Sequence, residues 1–467
     1  MGVGVPIFLM LAGLFYLFKL KGFYLLHPLK TLRPALKRQG TAGISPIRAL
    51  CMALAGTLGV GNIVGVATAL YLGGAGAIFW MIFSALIAMV LKYAEIVLAV
   101  RHRRINQNGC FSGGAPFYIE DGFTVRGFPK IGKLFGCIFA SLCLLNALTM
   151  GSMLQVNAVA SALNHSFHLP AWLVGGVLAV LCGLAVKGGV RRISSVTEKI
   201  VPLMTLGFLF LCAAVLCLRY ERIPDAVTGI VSEAFSSRSM GGGIVGFLTS
   251  NGVRYGVMRG LVSNEAGCGT APMAHASAEV RSPAAQGVLG LVEVFVDTVL
   301  LCTVTALTLL VSGSDIASFG EDGVRTAQAA FVSVLGSFSG YVFAISIFFF
   351  GFATILCWGH YGMTSMRAML GRHQKIRGAE GLFCLLYALS VWIGALISPG
   401  SVWRLADAAL GIMTIFNLIV LLMMHREVSE ETKAYLAVHT KKEKHIQWKD
   451  KKHMERTVSP NEYLHRK

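Results

Sequence analysis

The sequence predicts an all-α polytopic membrane protein of about eleven transmembrane helices, in which an inverted repeat of five plus five helices contains two broken helices and follows one extra N-terminal helix. The 467-residue chain is 55% hydrophobic and 14% charged, with a mean hydropathy of +0.66, so it is too apolar for a soluble globular protein. Eleven apolar runs have spanning length. Two of them contain glycine-rich interruptions at matching places in the two halves.

A helix needs roughly 20 apolar residues to cross the hydrocarbon core. The expected spans lie near residues 4–21, 46–72, 77–100, 133–161, 170–187, 198–218, 241–278, 286–313, 339–366, 381–397 and 402–425. The first run has no basic residue before it and no small-residue cleavage site after it, so it is interpreted as an uncleaved span. The predicted segments are a first helix with a basic connection (1–45), two five-helix repeats (46–218 and 219–425) and a basic tail (426–467).

Lysine and arginine collect after the first, third, fifth, seventh and ninth spans. The positive-inside tendency then predicts a cell (inner) membrane protein with its N-terminus outside and its C-terminus in the cytoplasm. The net charge of +18 does not indicate nucleic-acid binding, because no basic stripe with interleaved aromatic residues occurs outside the tail. The tail from Glu427 is expected to be solvated and close to anionic lipid.

Two features near the predicted cytoplasmic face leave alternatives open. The segment Gly113–Glu120 is predicted to gate access from inside or to rest on the lipid headgroups, and the second alternative is favoured. Lys92 and Glu95 lie near the end of the third span and are expected to reach toward the interface as a pair rather than to form a proton relay. His275 follows a helix end and is expected to be structural.

The first interruption is the segment Gly56–Gly65, which contains four glycines. Each glycine in a helix interior costs roughly 1 kcal/mol relative to alanine, so the helix is expected to break here. Irregular backbone is tolerated at membrane depth only where protein or a wet cavity covers it. With Thr57 and Asn62 beside the break, the segment predicts a small-molecule or ion site, or else close helix packing through small residues.

The second interruption follows Asn251 and ends near His275. Ionisable groups inside a membrane are costly and are functional by default, so Glu265 predicts either a polar group facing a pore or a loop. The chain contains no HExxH or GxSxG pattern, and we expect no enzyme activity. It contains no GxxxxGK[ST] loop either, so an ion gradient is the expected energy source.

Several blocks of this sequence, from about Leu54 to beyond Gly362, resemble the alanine or glycine:cation symporters, also called sodium:alanine symporters. The blocks are Ala55–Ala69, Gly73–Met81, Arg259–Gly267, Ala271–Ala276 and Phe295–Thr298. The resemblance implies a leucine-transporter-type fold. It also implies sodium-coupled import of small neutral amino acids such as alanine, glycine or D-alanine by alternating access.

The resemblance further implies a substrate site between the two breaks. Backbone amides at the positive end of a half-helix would receive the substrate carboxylate, at Gly59, Val60 and Gly61. Backbone carbonyls near Ser263 and Asn264, with Gln155, would receive the ammonium group. Trp358 would limit the size of the substrate side chain, although a tryptophan near a helix end is also a common interfacial anchor.

The resemblance places the coupling ion beside the first break. Sodium would bind the carbonyls of Ala55 and Leu58 and the hydroxyl of Thr354, and a second ion would bind Thr57, Asn62 and Asp297. Two alternatives stay open, since Thr354 could bond back to a carbonyl one turn earlier and Asp297 could pair with a basic residue. Val60, Ala353 and Gly359-His360 depart from the family pattern. A proton-coupled permease using His360, or an uncoupled one, is therefore the alternative function.

Overall fold

The computed structural model describes residues 4–26, 31–32, 35–36, 44–105, 109–235, 251–371 and 376–440. The helices of the first half are α1 Gly4–Lys19, α2 Phe23–Leu26, α3 Pro46–Thr57, α4 Val66–Gly73, α5 Gly76–Arg101, α6 Ala115–Thr124, α7 Pro129–Leu148, α8 Leu154–Phe167, α9 Ala171–Lys187, α10 Gly189–Leu218 and α11 Ile223–Ala234. A two-residue hairpin, β1 Arg104–Ile105 and β2 Phe111–Ser112, pairs antiparallel between α5 and α6.

The second half repeats the pattern of long apolar helices joined by short ones. Its helices are α12 Asn251–Asn264, α13 Pro272–His275, α14 Pro283–Val294, α15 Thr303–Ser312, α16 Gly323–Leu335, α17 Phe338–Leu370, α18 Ile376–Gly394, α19 Pro399–Met423 and α20 His425–Thr440. Wider π-helical turns occupy Gly61–Gly65, Thr149–Met153 and Phe295–Cys302, and 3₁₀ turns occupy Tyr220–Arg222 and Ile316–Phe319.

Six helical segments in the described part of the chain are long and apolar enough to span a membrane, and the bent pair at the first break makes seven. Three shorter apolar helices begin at Gly4, Ala171 and Gly378. The count of eleven spans stays a prediction. Residues 241–250, the start of the predicted seventh span, lie outside the described residues.

The predicted first break is confirmed. Helix α3 ends at Thr57, and the segment Gly61–Gly73 continues at an angle of 50° to it. At the turn, the N–H of Gly59 bonds to the carbonyl of Thr57 at 2.8 Å instead of continuing the helical ladder. The second interruption also breaks its helix, because α12 ends at Asn264 and α13 begins only at Pro272.

The core of the molecule forms around α5, which packs against α12 and α14, while α17 packs against α7 and α8. Lys92 is fully buried in this core, where its Nζ lies 3.4 Å from Oε1 of Glu293. The expected Lys92–Glu95 pair at the interface is therefore wrong. Lys92 faces a carboxylate on α14 because α5 is covered on several sides and gives its side chain no route to solvent.

The segment after the hairpin is also more buried than expected. Ala115, Pro116 and Ile119 of α6 are buried, and the hydroxyl of Tyr118 donates to Oδ1 of Asn417 on α19. The favoured prediction that Gly113–Glu120 rests on lipid headgroups is wrong. Its apolar residues pack inside the protein because α7 and α19 provide a surface for them.

The predicted tail begins as a folded helix. Val428 and Tyr435 of α20 are buried, and the hydroxyls of Tyr93 and Thr432 lie 2.7 Å apart. Arg101 at the end of α5 forms ion pairs with two glutamates of α20, Glu427 and Glu431. One face of α20 is thus packed rather than solvated, and residues 441–467 lie outside the described part of the chain.

Candidate functional site

A small cavity lies where the two helix breaks meet the π-helical turn Thr149–Met153 and helices α8, α17 and α19. Its walls come from both halves of the chain: Gly56, Thr57, Gly59, Gly61, Met150, Gln155, Val262, Glu265, Trp358 and Trp403. Five of the predicted substrate or ion residues therefore line this cavity, namely Thr57, Gly59, Gly61, Gln155 and Trp358. Val60, Ser263 and Asn264 do not line it.

The backbone of the first break leaves one amide beside this cavity without a hydrogen-bond partner. The N–H of Gly59 is bonded to Thr57, and the N–H of Val60 donates to Oε1 of Gln155 at 3.1 Å. The N–H of Gly61 makes no hydrogen bond within the described residues. A Cβ added at Gly61 would meet no atom within 4 Å, so this glycine borders open space.

Gly59 has the opposite environment. A Cβ at this position would lie 2.8 Å from Oγ1 of Thr354 and 2.9 Å from Oε1 of Gln155. Gln155 is itself fixed, because its Nε2 donates to the carbonyl of Met150 at 3.1 Å. Only glycine fits where the break, α8 and α17 approach so closely, and the break is held in one position by this contact.

The second break contributes backbone oxygens. The carbonyls of Val262, Ser263 and Asn264 accept no hydrogen bond from the described residues, since the N–H of Ala266 bonds instead to Oδ1 of Asn264. The Ser263 and Asn264 side chains point away, toward Asp297 and Thr298. These carbonyls are acceptors of the kind that an ammonium group or a cation needs.

Trp358 forms the far wall of the cavity. Its side chain is 1% exposed and makes an edge-to-face contact with Tyr361, with ring centroids 5.4 Å apart. Gly151 lies against this ring, so closely that a side chain there would overlap it. The alternative that Trp358 anchors the chain at the membrane interface is therefore wrong, because the indole is enclosed by protein.

Oxygen atoms converge behind the first break. The hydroxyl of Thr354 donates to the carbonyl of Ala55 at 2.9 Å and lies 3.0 Å from that of Phe350. The carbonyl of Leu58, the third predicted ligand, accepts no hydrogen bond within the described part. Thr354 thus makes both the expected contact with the break and the alternative bond to its own helix.

A second polar cluster surrounds Asp297. Its Oδ1 accepts from Nδ2 of Asn62 at 2.7 Å, and its Oδ2 accepts from Ser263 at 2.7 Å and from Thr298 at 2.6 Å. The buried Oδ1 of Asn62 has no hydrogen-bond partner among the described residues. The hydroxyl of Thr57 bonds to Ala53, so Thr57 lies apart from this cluster.

No arginine or lysine of the described residues forms an ion pair with Asp297, which leaves the alternative of a buried basic partner without support. His360 is buried, with its Nε2 3.5 Å from the carbonyl of Met273, and it does not line the cavity. Met150, Val262 and Trp403 also line the cavity, and the sequence did not predict them as site residues. Nothing in the sequence around these three residues predicts a binding site. The charge of Glu265 inside a membrane segment did predict a functional group, but the sequence left open whether Glu265 faces a pore or lies in a loop.

Two broken helices that meet at a polar cavity inside an apolar helical bundle define a multi-pass secondary transporter. The fold is of the leucine-transporter type. A solved structure of MhsT in complex with L-phenylalanine matches with a TM-score of 0.57 at 14% sequence identity, over 84% of this chain and 93% of that chain. A structural similarity at such low sequence identity shows the fold alone.

The chain belongs to the sodium:alanine symporter family, whose model matches residues 2–449. It is 36% identical over 441 residues to an uncharacterized transporter of Haemophilus influenzae, covering 92% of this chain and 93% of that protein. The sodium/alanine symporter AgcS of Methanococcus maripaludis is 36% identical over 84% of each chain. YrbD of Bacillus subtilis, named as a candidate sodium/proton-dependent alanine carrier, is 33% identical over 84% of this chain and 79% of its own. The protein is thus a cation-dependent amino-acid symporter of a transporter family.

Proposed function

We propose that this protein imports small neutral amino acids, namely alanine, glycine or D-alanine, together with sodium by alternating access. The observation that carries the proposal is the free N–H of Gly61, which borders a cavity closed by the enclosed ring of Trp358. A half-helix N-terminus with a free amide attracts a carboxylate. The names of AgcS and YrbD, both of which mention alanine, support this substrate class.

The substrate would lie across the cavity from one break to the other. Its carboxylate would accept from Gly61, and its ammonium would donate to the second break, where Val262 lines the cavity and the free carbonyls of Ser263 and Asn264 follow it. Gly59, Val60 and Gln155 would position Gly61 rather than bind the substrate directly, because their polar atoms are already paired. Trp358 faces the cavity as a large rigid wall, which would limit the size of the substrate side chain.

Sodium prefers oxygen ligands, and the carbonyl of Ala55 and the hydroxyl of Thr354, 2.9 Å apart, supply two of them. The carbonyl of Leu58, which accepts no hydrogen bond within the described residues, would be the third ligand. The second cluster, with Asp297 and the unpartnered oxygen of Asn62, offers a charged site for another cation. Thr57 contributes to the cavity wall instead. In this mechanism the ions stabilise the closed arrangement of the breaks, and both are released with the substrate.

We propose that the protein lies in the cell (inner) membrane with its N-terminus outside and its C-terminus in the cytoplasm. A proton-coupled variant is the second candidate function, and the name of YrbD supports it. An uncoupled permease would need neither cluster of oxygens.

The experiment is uptake of labelled alanine and glycine into proteoliposomes. Three conditions are compared: an inward sodium gradient, an inward proton gradient, and neither. Accumulation above equilibrium with sodium alone supports the proposal. Accumulation with protons alone supports the variant, equilibration without accumulation in all three conditions supports the uncoupled permease, and no uptake in any condition contradicts the substrate class.

A further inference from the structure

Five ionisable side chains are buried together beside the cavity, and the transport site described above uses none of them. They are Lys92 and Glu95 of α5, Glu265 at the second break, His275 of α13 and Glu293 of α14, and each is at most 1% exposed. Lys92 lies 3.4 Å from Glu293, and Nε2 of His275 lies 2.9 Å from the other oxygen of Glu293. Lys92 also interacts electrostatically with Glu95 and Glu265.

The charges of this group do not balance. With His275 protonated, two positive charges face three carboxylates. With His275 neutral, Lys92 is the one positive charge of the group. Asp297 on the next turn beyond Glu293 adds another carboxylate, and its own partners are uncharged. A buried, unpaired carboxylate is so costly that it binds a proton instead. At least one of the three glutamates of the group must therefore be neutral.

The hydrogen bonds indicate which glutamate that is. Glu293 contacts both Lys92 and His275, which favours its ionised form. Oε1 of Glu95 accepts from the backbone N–H of Gly269 at 2.8 Å and from the amide of Asn417, while its buried Oε2 has no partner among the described residues. Glu265 has only the hydroxyl of Thr270 as a donor within the described residues, and it alone of the three lines the cavity.

The other titratable groups around Glu265 do not supply a positive charge. Besides Lys92, Glu293 and Asp297, those that interact with it electrostatically are the thiols and the phenol Cys143, Cys268, Cys357 and Tyr361. Glu265 also has a φ of 52°, a left-handed conformation that is unfavourable for a residue with a side chain. Strained residues of this kind are concentrated at functional sites.

We infer that Glu265 is a proton-binding site in the wall of the substrate cavity, and that arrival of the substrate ammonium displaces its proton. The inference rests on the proposed function, because it needs an amino acid whose ammonium lies at the second break. The bond that breaks is the O–H bond of the Glu265 carboxyl, and the proton passes to solvent. The ammonium then neutralises the carboxylate, so the charge of the buried group is unchanged.

The test uses the purified full-length protein in detergent with saturating sodium, weak buffer and a pH indicator dye. Labelled alanine binding and proton release are measured in the same sample. We expect roughly one proton released per alanine bound by the wild type. In E265Q the number of protons per bound alanine should fall to near zero, whereas E198Q, which alters a glutamate that pairs with Arg48 outside the buried group, should release protons like the wild type.

Infrared difference spectra on alanine addition provide a second readout that does not depend on the E265Q variant binding substrate. The wild type should lose the C=O band of a protonated carboxylic acid, and E265Q should lack that band. Alanine binding by the wild type without proton release, or equal release by E265Q, would overturn the inference and mean that another cation neutralises Glu265. No alanine binding by the wild type would instead overturn the proposed function and, with it, this inference.

Discussion

Oε1 of Gln155 accepts a hydrogen bond from the backbone N–H of Val60 at 3.1 Å, which ties α8 to the first helix break. The same amide group donates to the carbonyl of Met150, so its orientation is fixed from both sides. The free N–H of Gly61 follows directly after this tie. The geometry of the break therefore depends on a side chain 95 positions away along the chain.

Replacing Gln155 with leucine should impair transport strongly. Q155L leaves the buried N–H of Val60 without a partner, and such a loss costs about 1–3 kcal/mol. We expect initial alanine uptake at low substrate concentration to fall at least about tenfold. N157A is the matched control, because Asn157 on the same helix bonds to the carbonyls of Gly394 and Ile397 and not to the break. Equal uptake by Q155L and N157A would contradict the role of Gln155.

The hydroxyl of Thr354 should set the sodium requirement. T354V keeps the shape of the side chain but removes the oxygen beside the Ala55 carbonyl, so the sodium concentration for half-maximal uptake should rise about tenfold or more. T305V is the control, since among the described residues the buried hydroxyl of Thr305 bonds only to the carbonyl of Leu301. Sodium titration of uptake measures both variants. An unchanged sodium dependence in T354V would remove Thr354 from the ion site.

Asp297 should determine how many ions accompany the substrate. D297N preserves size but removes the negative charge that would hold a second cation. We expect the sodium dependence of alanine uptake to become less steep, with its Hill coefficient falling from about 2 toward about 1. The measurement is uptake over a range of sodium concentrations at saturating alanine. The same steepness in D297N and the wild type would argue for a single coupling ion.

His102 bridges two carboxylates outside the membrane-spanning helices. Its Nδ1 lies 3.0 Å from Asp121 on α6, and its Nε2 lies 3.0 Å from Glu427 on α20. Burial lowers the pKa of His102, but the two hydrogen bonds outweigh burial and the pKa is raised. Burial likewise raises the pKa of Asp121 and Glu427, yet hydrogen bonding to His102 leaves each pKa lowered.

These shifts predict how attachment of α20 depends on pH. Because the pKa of His102 is raised on folding, its protonated form stabilises the attachment of α20 below about pH 6.5, the pKa of an unfolded histidine. This contribution is lost as the pH rises through the folded pKa. Because the pKa values of Asp121 and Glu427 are lowered, their ionised forms stabilise the attachment above about pH 4, and this contribution is lost as the pH falls. Attachment should therefore be strongest in mildly acidic solution. Hydrogen exchange of residues 425–440 should speed up at alkaline pH beyond its intrinsic rise. H102Q should abolish this effect, and H165Q, at an exposed histidine, should not.

Local signals explain what the sequence predicted. The apolar runs and the glycines of Gly56–Gly65 determine the conformation of the residues next to them in the sequence. The long helices and both breaks were therefore predictable. Helix α16 was not, because it is amphipathic and its buried residues, such as Val324 and Phe331, become apolar contacts only against other helices. Helix α20 is similar, since its charged composition resembles a solvated tail until α5 is placed beside it.

Long-range pairs explain what the sequence could not predict in the site. Lys92 and Glu293 are 201 positions apart, and nothing near Lys92 shows that its partner is not Glu95. Asn62 and Asp297 were grouped correctly by resemblance, but Thr57 was grouped with them although its hydroxyl bonds to its own helix. Which of three neighbouring amides stays free likewise depends on Gln155, which lies on another helix.

The most direct test of the proposed site is equilibrium binding of labelled alanine to purified G61L, with and without sodium. Leucine at this position would fill the open space beside the free amide, whereas a Cβ at Gly65 also meets no atom within 4 Å but lies outside the cavity wall. We predict sodium-dependent binding by the wild type and by G65A, and binding weakened at least about a hundredfold in G61L of normal thermal stability. Wild-type affinity in G61L would contradict the assignment of the substrate site to the first break.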